Sequence, residues 1–361
     1  MNQNPFDIPN ERADRPADAP LDPKAISRDF SRVGLSLAVL LVMTVLGQVV
    51  IDTLATAMGW SFTHEWWYSM ALSFVSIYGF GLLPTYLVLR TLPKAPHNEM
   101  FVTRQPDDTY ATARKTDLRF GWVVLLALVA IGYMNLGAQI GEGVMGYVSD
   151  LWGYDYSNGL DALTRATPLW GTLLYVVILA PIAEEFLFRK LLIDRLRRYG
   201  DTVAILISAF FFALFHGNLY QCFYAFLVGL LLGYLYTRTG RIGRSMLLHM
   251  FINFVGSILP LTLQSLVDME ALQSTDLQVV IQSVADHSVG FVLMMLYSFF
   301  LMGAMIASVV LTVVMHRRLQ LGEGSVPLPR GARFGTAMGN AGMMTAFILY
   351  LVVIALSLVP V

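Results

Sequence analysis

The chain has 361 residues, of which 56% are hydrophobic and only 14% charged, with a mean hydropathy of +0.61. Water-soluble domains carry about 25% charged residues, so this composition excludes an ordinary soluble enzyme and points to a bilayer. The 24 Lys and Arg against 25 Asp and Glu offer no net field for a nucleic acid, and one cysteine, Cys222, excludes an internal disulfide or a thiolate-rich metal site.

Residues 1–31 are rich in Asp, Pro, Arg and Asn and lack a basic tip followed by an apolar stretch, so they read as a disordered cytoplasmic tail rather than a cleavable signal. A membrane domain is expected over 32–359. Its first apolar runs lie at about 33–55 and 68–89, the second containing Pro84. Each is long enough to cross a core of roughly 30 Å, which takes about 20 helical residues. Further runs lie at about 120–141, 169–198, 202–218, 220–237, 244–263, 289–315 and 336–359. Those at 202–218 and 220–237 join tightly around His216, Gly217 and Asn218, which predicts a helical hairpin. The fold class is therefore all-α, a polytopic helical bundle of about nine spans. The stretch at about 264–288 alternates polar and apolar residues and suits a short helix on the outer surface, and Gly137-x3-Gly141 and Gly229-x3-Gly233 suit close helix packing.

Basic residues test the count. With nine spans, the groups Arg12–Arg32, Arg90–Arg119, Arg189–Arg198, Arg238–Arg244 and Arg317–Arg333 all fall on one side, and only Arg165 on the other. The positive-inside rule then predicts a multipass protein of an inner or plasma membrane, N-terminus cytoplasmic and C-terminus outside.

Polar residues inside apolar runs are costly and tend to mark function. The segment PIAEEFLFRK, 181–190, places two carboxylates at what reads as the cytoplasmic end of an apolar helix. Adjacent residues point about 100° apart, so Glu184 and Glu185 need different roles. Glu185 and Arg189, four apart with acid before base, suit an intrahelical ion pair; an interfacial charge cluster is the plain alternative for Arg189. Glu184 faces another way and suits a general base in a wet cavity. In FFALFHGNLY, 211–220, Phe212 and His216 share a face; in LLHMFINF, 247–254, His249 and Asn253 do. Each histidine alone could be a helix-bridging hydrogen bonder.

Together these groups can support hydrolysis: Glu184 taking a proton from water, a histidine donating to the developing oxyanion, and Asn253 orienting His249 or donating itself. A catalytic zinc held by His216, His249 and Glu184 is the competing arrangement, which the sequence leaves open. Neither HExxH nor GxSxG occurs, since His64-Glu65 is followed by WWY, and Cys222 reads as a small apolar filler. One conflict is built in. A straight helix over 202–218 starting at the inner boundary lifts His216 about 20 Å, away from an inner-boundary Glu184. The Glu-bearing helix must then begin deeper, or the short helices must be tilted, broken or displaced.

These residues resemble the CPBP family of intramembrane proteases, also called the CAAX protease and bacteriocin-processing family, whose eukaryotic relatives remove the last three residues of prenylated proteins. The family pattern EExxxR is similar to Glu184, Glu185 and Arg189; FxxxH to Phe212 and His216; and HxxxN to His249 and Asn253, all in order. The resemblance covers about 169–255 and implies a catalytic core around 169–263. It implies an intramembrane glutamic endopeptidase without a required metal, with catalytic residues Glu184, Glu185, Arg189, His216, His249 and Asn253. Glu184 would activate water with help from His216, and His249 plus Asn253 would form the oxyanion site. The implied partners are the lipid bilayer and a membrane-associated peptide or protein substrate, CAAX-type or bacteriocin-related. A noncatalytic membrane scaffold or immunity protein is the runner-up, and a proton-coupled transporter a third reading, against which stands the lack of matching half-chain repeats.

Overall fold

Asp22 opens the first helix: Pro23 stands at its first position, where no backbone N–H is needed, and the Asp22 carboxylate accepts from the Lys24 N–H at 3.0 Å. The computed structural model describes residues 22–95, 100–104, 110–114, 120–156, 158–316, 319–326, 328 and 333–359. Helix α1 (Pro23–Ala57) corrects the expected tail, because residues 23–31 are helical and packed. Phe30 is fully buried with its ring 4.8 Å from Tyr199, and Asp29 accepts from the Tyr199 hydroxyl at 2.7 Å. The rest of that tail, 1–21, lies outside the described residues.

Among the described residues, seven helices are long and apolar enough to cross a membrane: α1, α2 (Trp66–Leu89), α3 (Gly121–Trp152), α5 (Leu169–Tyr199), α7 (Leu219–Thr239), α8 (Ile242–Gln264) and α11 (Ser288–Met315). Two apolar helices at positions where spans were expected are shorter, α6 (Asp201–Phe215) and α13 (Ala341–Leu356). The nine expected apolar segments are thus all helical, but α6 and α13 fall short of a full crossing at about 1.5 Å per residue. Short helices α4 (Gly159–Ala166), α9 (Met269–Leu272), α10 (Leu277–Asp286) and α12 (Arg333–Met338) lie between them, α9 and α10 within the stretch read as a surface helix.

An antiparallel pair, β1 (Met100–Arg104) with β2 (Tyr110–Arg114), was not foreseen in the connection after α2. It meets the turn between α5 and α6 through one loop. Glu323 N–H donates to the Val102 carbonyl at 2.8 Å, Gly322 N–H donates to the Asp201 carboxylate at 2.8 Å, and Asp201 N–H donates to the Gly322 carbonyl at 2.9 Å.

That α5–α6 turn sets the depth of everything that follows. Gly200, at φ 104° and ψ 151°, occupies a backbone region essentially closed to residues with a Cβ, and it reverses the chain so that α5 and α6 run antiparallel. Glu184 and His216 both lie sixteen residues from Gly200, so the hairpin brings them level. Ring contacts at 5.2 Å between Phe188 and Phe212, each twelve residues from the turn, confirm the alignment. The depth conflict resolves because α5 continues to Tyr199: Glu184 stands at mid-helix, fifteen residues from either end, rather than at a cytoplasmic boundary.

Helix α3 crosses α7 where the glycine spacing allows it. A Cβ on Gly137 would fall 2.2 Å from the Tyr224 Cα, and one on Gly141 2.6 Å from the Tyr220 carbonyl oxygen, so only glycine lets these backbones approach. Gly229 and Gly233 likewise face Ala209 and Ile205 of α6.

Candidate active site

Helix α5 is not a uniform α-helix. It widens into π-helical turns at Leu173–Leu179 and Phe186–Ile193, leaving only Ala180–Glu185 in α geometry between them. Such widenings commonly mark functional sites because they re-aim side chains within a helix. Similar segments occur at Val75–Gly81 of α2 and Phe254–Ile258 of α8.

The two carboxylates part as their angular separation requires. Glu185 and Arg189 are completely buried and ion-paired, Arg189 Nε to Glu185 Oε2, at 3.2 Å, although misaligned for a hydrogen bond. Arg189 also donates from Nη1 to the Ser208 hydroxyl at 3.3 Å and lies 4.8 Å from the Phe212 ring centroid. Ser208 donates in turn to the Phe188 carbonyl at 2.9 Å, so its lone pair is turned to the guanidinium. The expected intrahelical pair is present and buried in the protein core. Glu184 points elsewhere, its side chain 12% exposed.

His249 of α8 joins the two acids. Its Nδ1 lies 3.1 Å from Glu185 Oε1 and its Nε2 3.7 Å from Glu184 Oε2, with 5% of the side chain exposed. The Phe212 ring stands edge-on between the histidines, 5.0 Å from His216 and 5.7 Å from His249, both at 87°. His216 follows the last residue of α6, and its Nδ1 lies 2.8 Å from the Phe212 carbonyl. A carbonyl only accepts, so Nδ1 carries the proton and Nε2 of the neutral ring is left as an acceptor. Gly217, at φ 68°, turns the chain, and Asn218 caps α7 by accepting from Gln221 N–H at 2.9 Å.

Glu184, Glu185, Arg189, His216 and His249 are thereby brought into one cluster from α5, α6 and α8. Asn253 is one turn beyond His249, and its amide donates to the Val176 carbonyl at 2.9 Å. Sequence reading missed Ser208 and three tyrosines, Tyr78, Tyr175 and Tyr224, which surround Glu184 closely enough to interact with its charge. Tyr78 comes from the widened turn of α2. A hydroxyl on an apolar helix was the available signal, too common to single out.

The zinc arrangement finds no assembled ligand set. Among the described residues no group of three or more His, Cys, Asp or Glu side chains is arranged to hold a metal ion. Both histidines engage Nδ1 with an oxygen, His249 with Glu185 and His216 with the Phe212 carbonyl, which leaves Nε2 as the remaining ring nitrogen of each.

Residues 166–255, about a quarter of the chain, match the family described as type II CAAX prenyl endopeptidase Rce1-like. This is the family to which the three short motifs pointed, and the segment is similar to its members within a multipass helical membrane protein. The matched residues begin just before α5 and end two residues after Asn253, so they contain the whole cluster. No curated protein and no solved structure matches the chain.

Proposed function

We propose that this chain, with its Rce1-like CAAX-protease domain as premise, is an endopeptidase of the cell membrane that cleaves a membrane-tethered peptide or protein using water activated by Glu184. The observation that supports it is the division of labour between adjacent carboxylates: Glu185 is neutralised by Arg189 at 3.2 Å, while Glu184 is left beside His249 Nε2 at 3.7 Å with part of its surface open.

Glu184 takes a proton from water as its oxygen bonds to the scissile carbonyl carbon. The proton acceptor on His216 Nε2 helps hold that water. His249, when both ring nitrogens carry protons, donates from Nε2 to the oxyanion while Glu185 holds Nδ1. With Glu184 and Glu185 ionised against Arg189 and such a His249, the four formal charges sum to zero. The C–N bond then breaks, and the proton on Glu184 passes to the leaving amine. No step uses a metal or cofactor. C-terminal peptides carrying a prenylated cysteine are the first substrate class to try, given the family description. The N-terminus is taken as cytoplasmic and the C-terminus as external, from the distribution of basic residues.

The test compares wild-type and Glu184→Gln protein in lipid on membrane-tethered peptides with and without the prenyl group, reading products by mass spectrometry in the presence and absence of a chelator. We expect cleavage to fall by about 10²–10⁴-fold in the variant, the usual share of a general base, and to survive chelation. Full activity in a folded Glu184→Gln protein rejects the mechanism.

A further inference from the structure

The position of Asn253 carries a role that the hydrolytic scheme does not need. In the widened turn of α5, the Ala180 N–H donates to the Tyr175 carbonyl five residues back. The next carbonyl, Val176, would find its partner in that register at residue 181. Residue 181 is Pro and has no N–H. Because Ala180 is already committed, the α-helical partner is gone as well. Val176 is thus a carbonyl inside a membrane helix with neither backbone donor, a costly condition in a bilayer unless another group supplies the hydrogen. The Asn253 amide of α8 supplies it at 2.9 Å.

The same arrangement recurs in α8. There the Leu259 N–H donates to the Phe254 carbonyl, Pro260 follows, and the carbonyl five residues before that proline, Val255, accepts from the Tyr297 hydroxyl of α11 at 2.8 Å. Two widened turns that run into a proline each leave the corresponding carbonyl open, and each is closed by a polar side chain from another part of the bundle.

We infer that Asn253 is a positioning residue: by donating to the carbonyl that Pro181 leaves open, it fixes the widened register of α5 and so the direction in which Glu184 points. Val176 lies eight residues before Glu184, and the intervening Ala180–Glu185 turn carries any change of register directly to the carboxylate. One amide hydrogen of Asn253 is committed to this contact. The inference rests on the proposed role of Glu184 for its catalytic consequence only; the hydrogen-bonding role is independent of what the protein hydrolyses.

A double-mutant cycle separates this from direct participation in the reaction. Asn253→Ala, Pro181→Ala and the double variant are compared in lipid for thermal midpoint and for kcat and KM on the same tethered peptide. Pro181→Ala restores a backbone N–H that can reach the Val176 carbonyl. We expect Asn253→Ala alone to lower the midpoint and to cut kcat by about 10–100-fold with KM nearly unchanged, as displacement of a reacting group does. In the Pro181→Ala background the same substitution is expected to cost less than about threefold in kcat and less than half of the midpoint fall, since the donor is now internal. Equal losses in both backgrounds overturn the inference. Should Pro181→Ala fail to fold, Asn253→Asp, which keeps the shape and loses the donor, is read by hydrogen exchange. Faster exchange confined to amides 177–180 is expected, and unchanged exchange there overturns it. If cleavage proves indifferent to Glu184, the proposed function fails, while the midpoint and exchange measurements still decide the role of Asn253.

Discussion

His249 Nδ1 and Glu185 Oε1 stand 3.1 Å apart, and the second oxygen of that carboxylate faces Arg189 at 3.2 Å. Glu185 is therefore the joint between α5 and α8 at the level of the site: it neutralises one cation and orients the ring that reaches Glu184. An acid next to the proposed base thus contributes by being committed elsewhere, which explains why two adjacent glutamates are tolerated deep in an apolar helix.

This joint gives the first prediction. Glu185→Gln keeps the shape and an acceptor oxygen but leaves the guanidinium of Arg189 buried without its counter-charge. Breaking a buried pair from one side costs about 3–5 kcal/mol, whereas replacing both partners by apolar groups of similar volume is far cheaper. Thermal unfolding in lipid should show Glu185→Gln well below wild type and Glu185→Leu with Arg189→Met closer to it. Equal destabilisation by the single and double changes contradicts the pairing.

Arg189→Lys tests the geometry of the cation rather than its charge. Arg189 meets Glu185, the Ser208 hydroxyl and the Phe212 face at once, which a planar fork can do and an ammonium cannot. We expect a loss of about 1–3 kcal/mol, read as a lower unfolding midpoint, and a fall in cleavage because Phe212 also abuts both histidines. A Lys variant as stable and active as wild type would show that charge alone suffices.

The helices and their order were legible in the sequence because hydrocarbon demands long apolar runs and long runs leave little ambiguity. EExxxR, FxxxH and HxxxN were legible because charged or amide side chains in such runs stand out against their background. What was not legible depended on backbone register. Counting residues from the expected membrane boundary set Glu184 too shallow, since the basic residues Arg189 and Arg195 read as interfacial although both are buried; the Arg195 guanidinium is absorbed by the carbonyls of Leu89 and Leu191. Nor does sequence announce a widened turn, so the task of Asn253 was hidden behind its proximity to His249. The pair β1–β2 was missed for a different reason: its strands are five residues each, short enough to read as part of a connection.

Tyr78 offers a prediction that the motifs do not contain. It reaches Glu184 from α2, outside the matched segment 166–255. Tyr78→Phe removes one hydroxyl and keeps the ring against Phe74, 4.8 Å away. With that hydroxyl gone from beside the proposed base, kcat/KM should fall by roughly 10-fold, the scale of about 1.4 kcal/mol in a barrier. An unaltered rate would show that α2 contributes packing only.

The hairpin that levels Glu184 with His216 turns on Gly200, and here the cost of substitution is conformational. A Cβ at this position would meet nothing closer than 3.6 Å, so space is available, but φ 104° with ψ 151° is held at a cost of about 1–3 kcal/mol by any other residue. Gly200→Ala should therefore lower the unfolding midpoint in lipid and reduce cleavage together, because relaxing the turn slides α6 against α5 and separates the two side chains. Gly243→Ala is the matched control: it lies in the first turn of α8, has open space around its Cβ position and keeps a negative φ. Alanine there should be neutral or stabilising by about 0.5–1 kcal/mol. If both substitutions shift the midpoint alike, the turn does not set the register of the hairpin; if Gly200→Ala is destabilised yet cleaves at the wild-type rate, the level placement of Glu184 and His216 is not what catalysis requires.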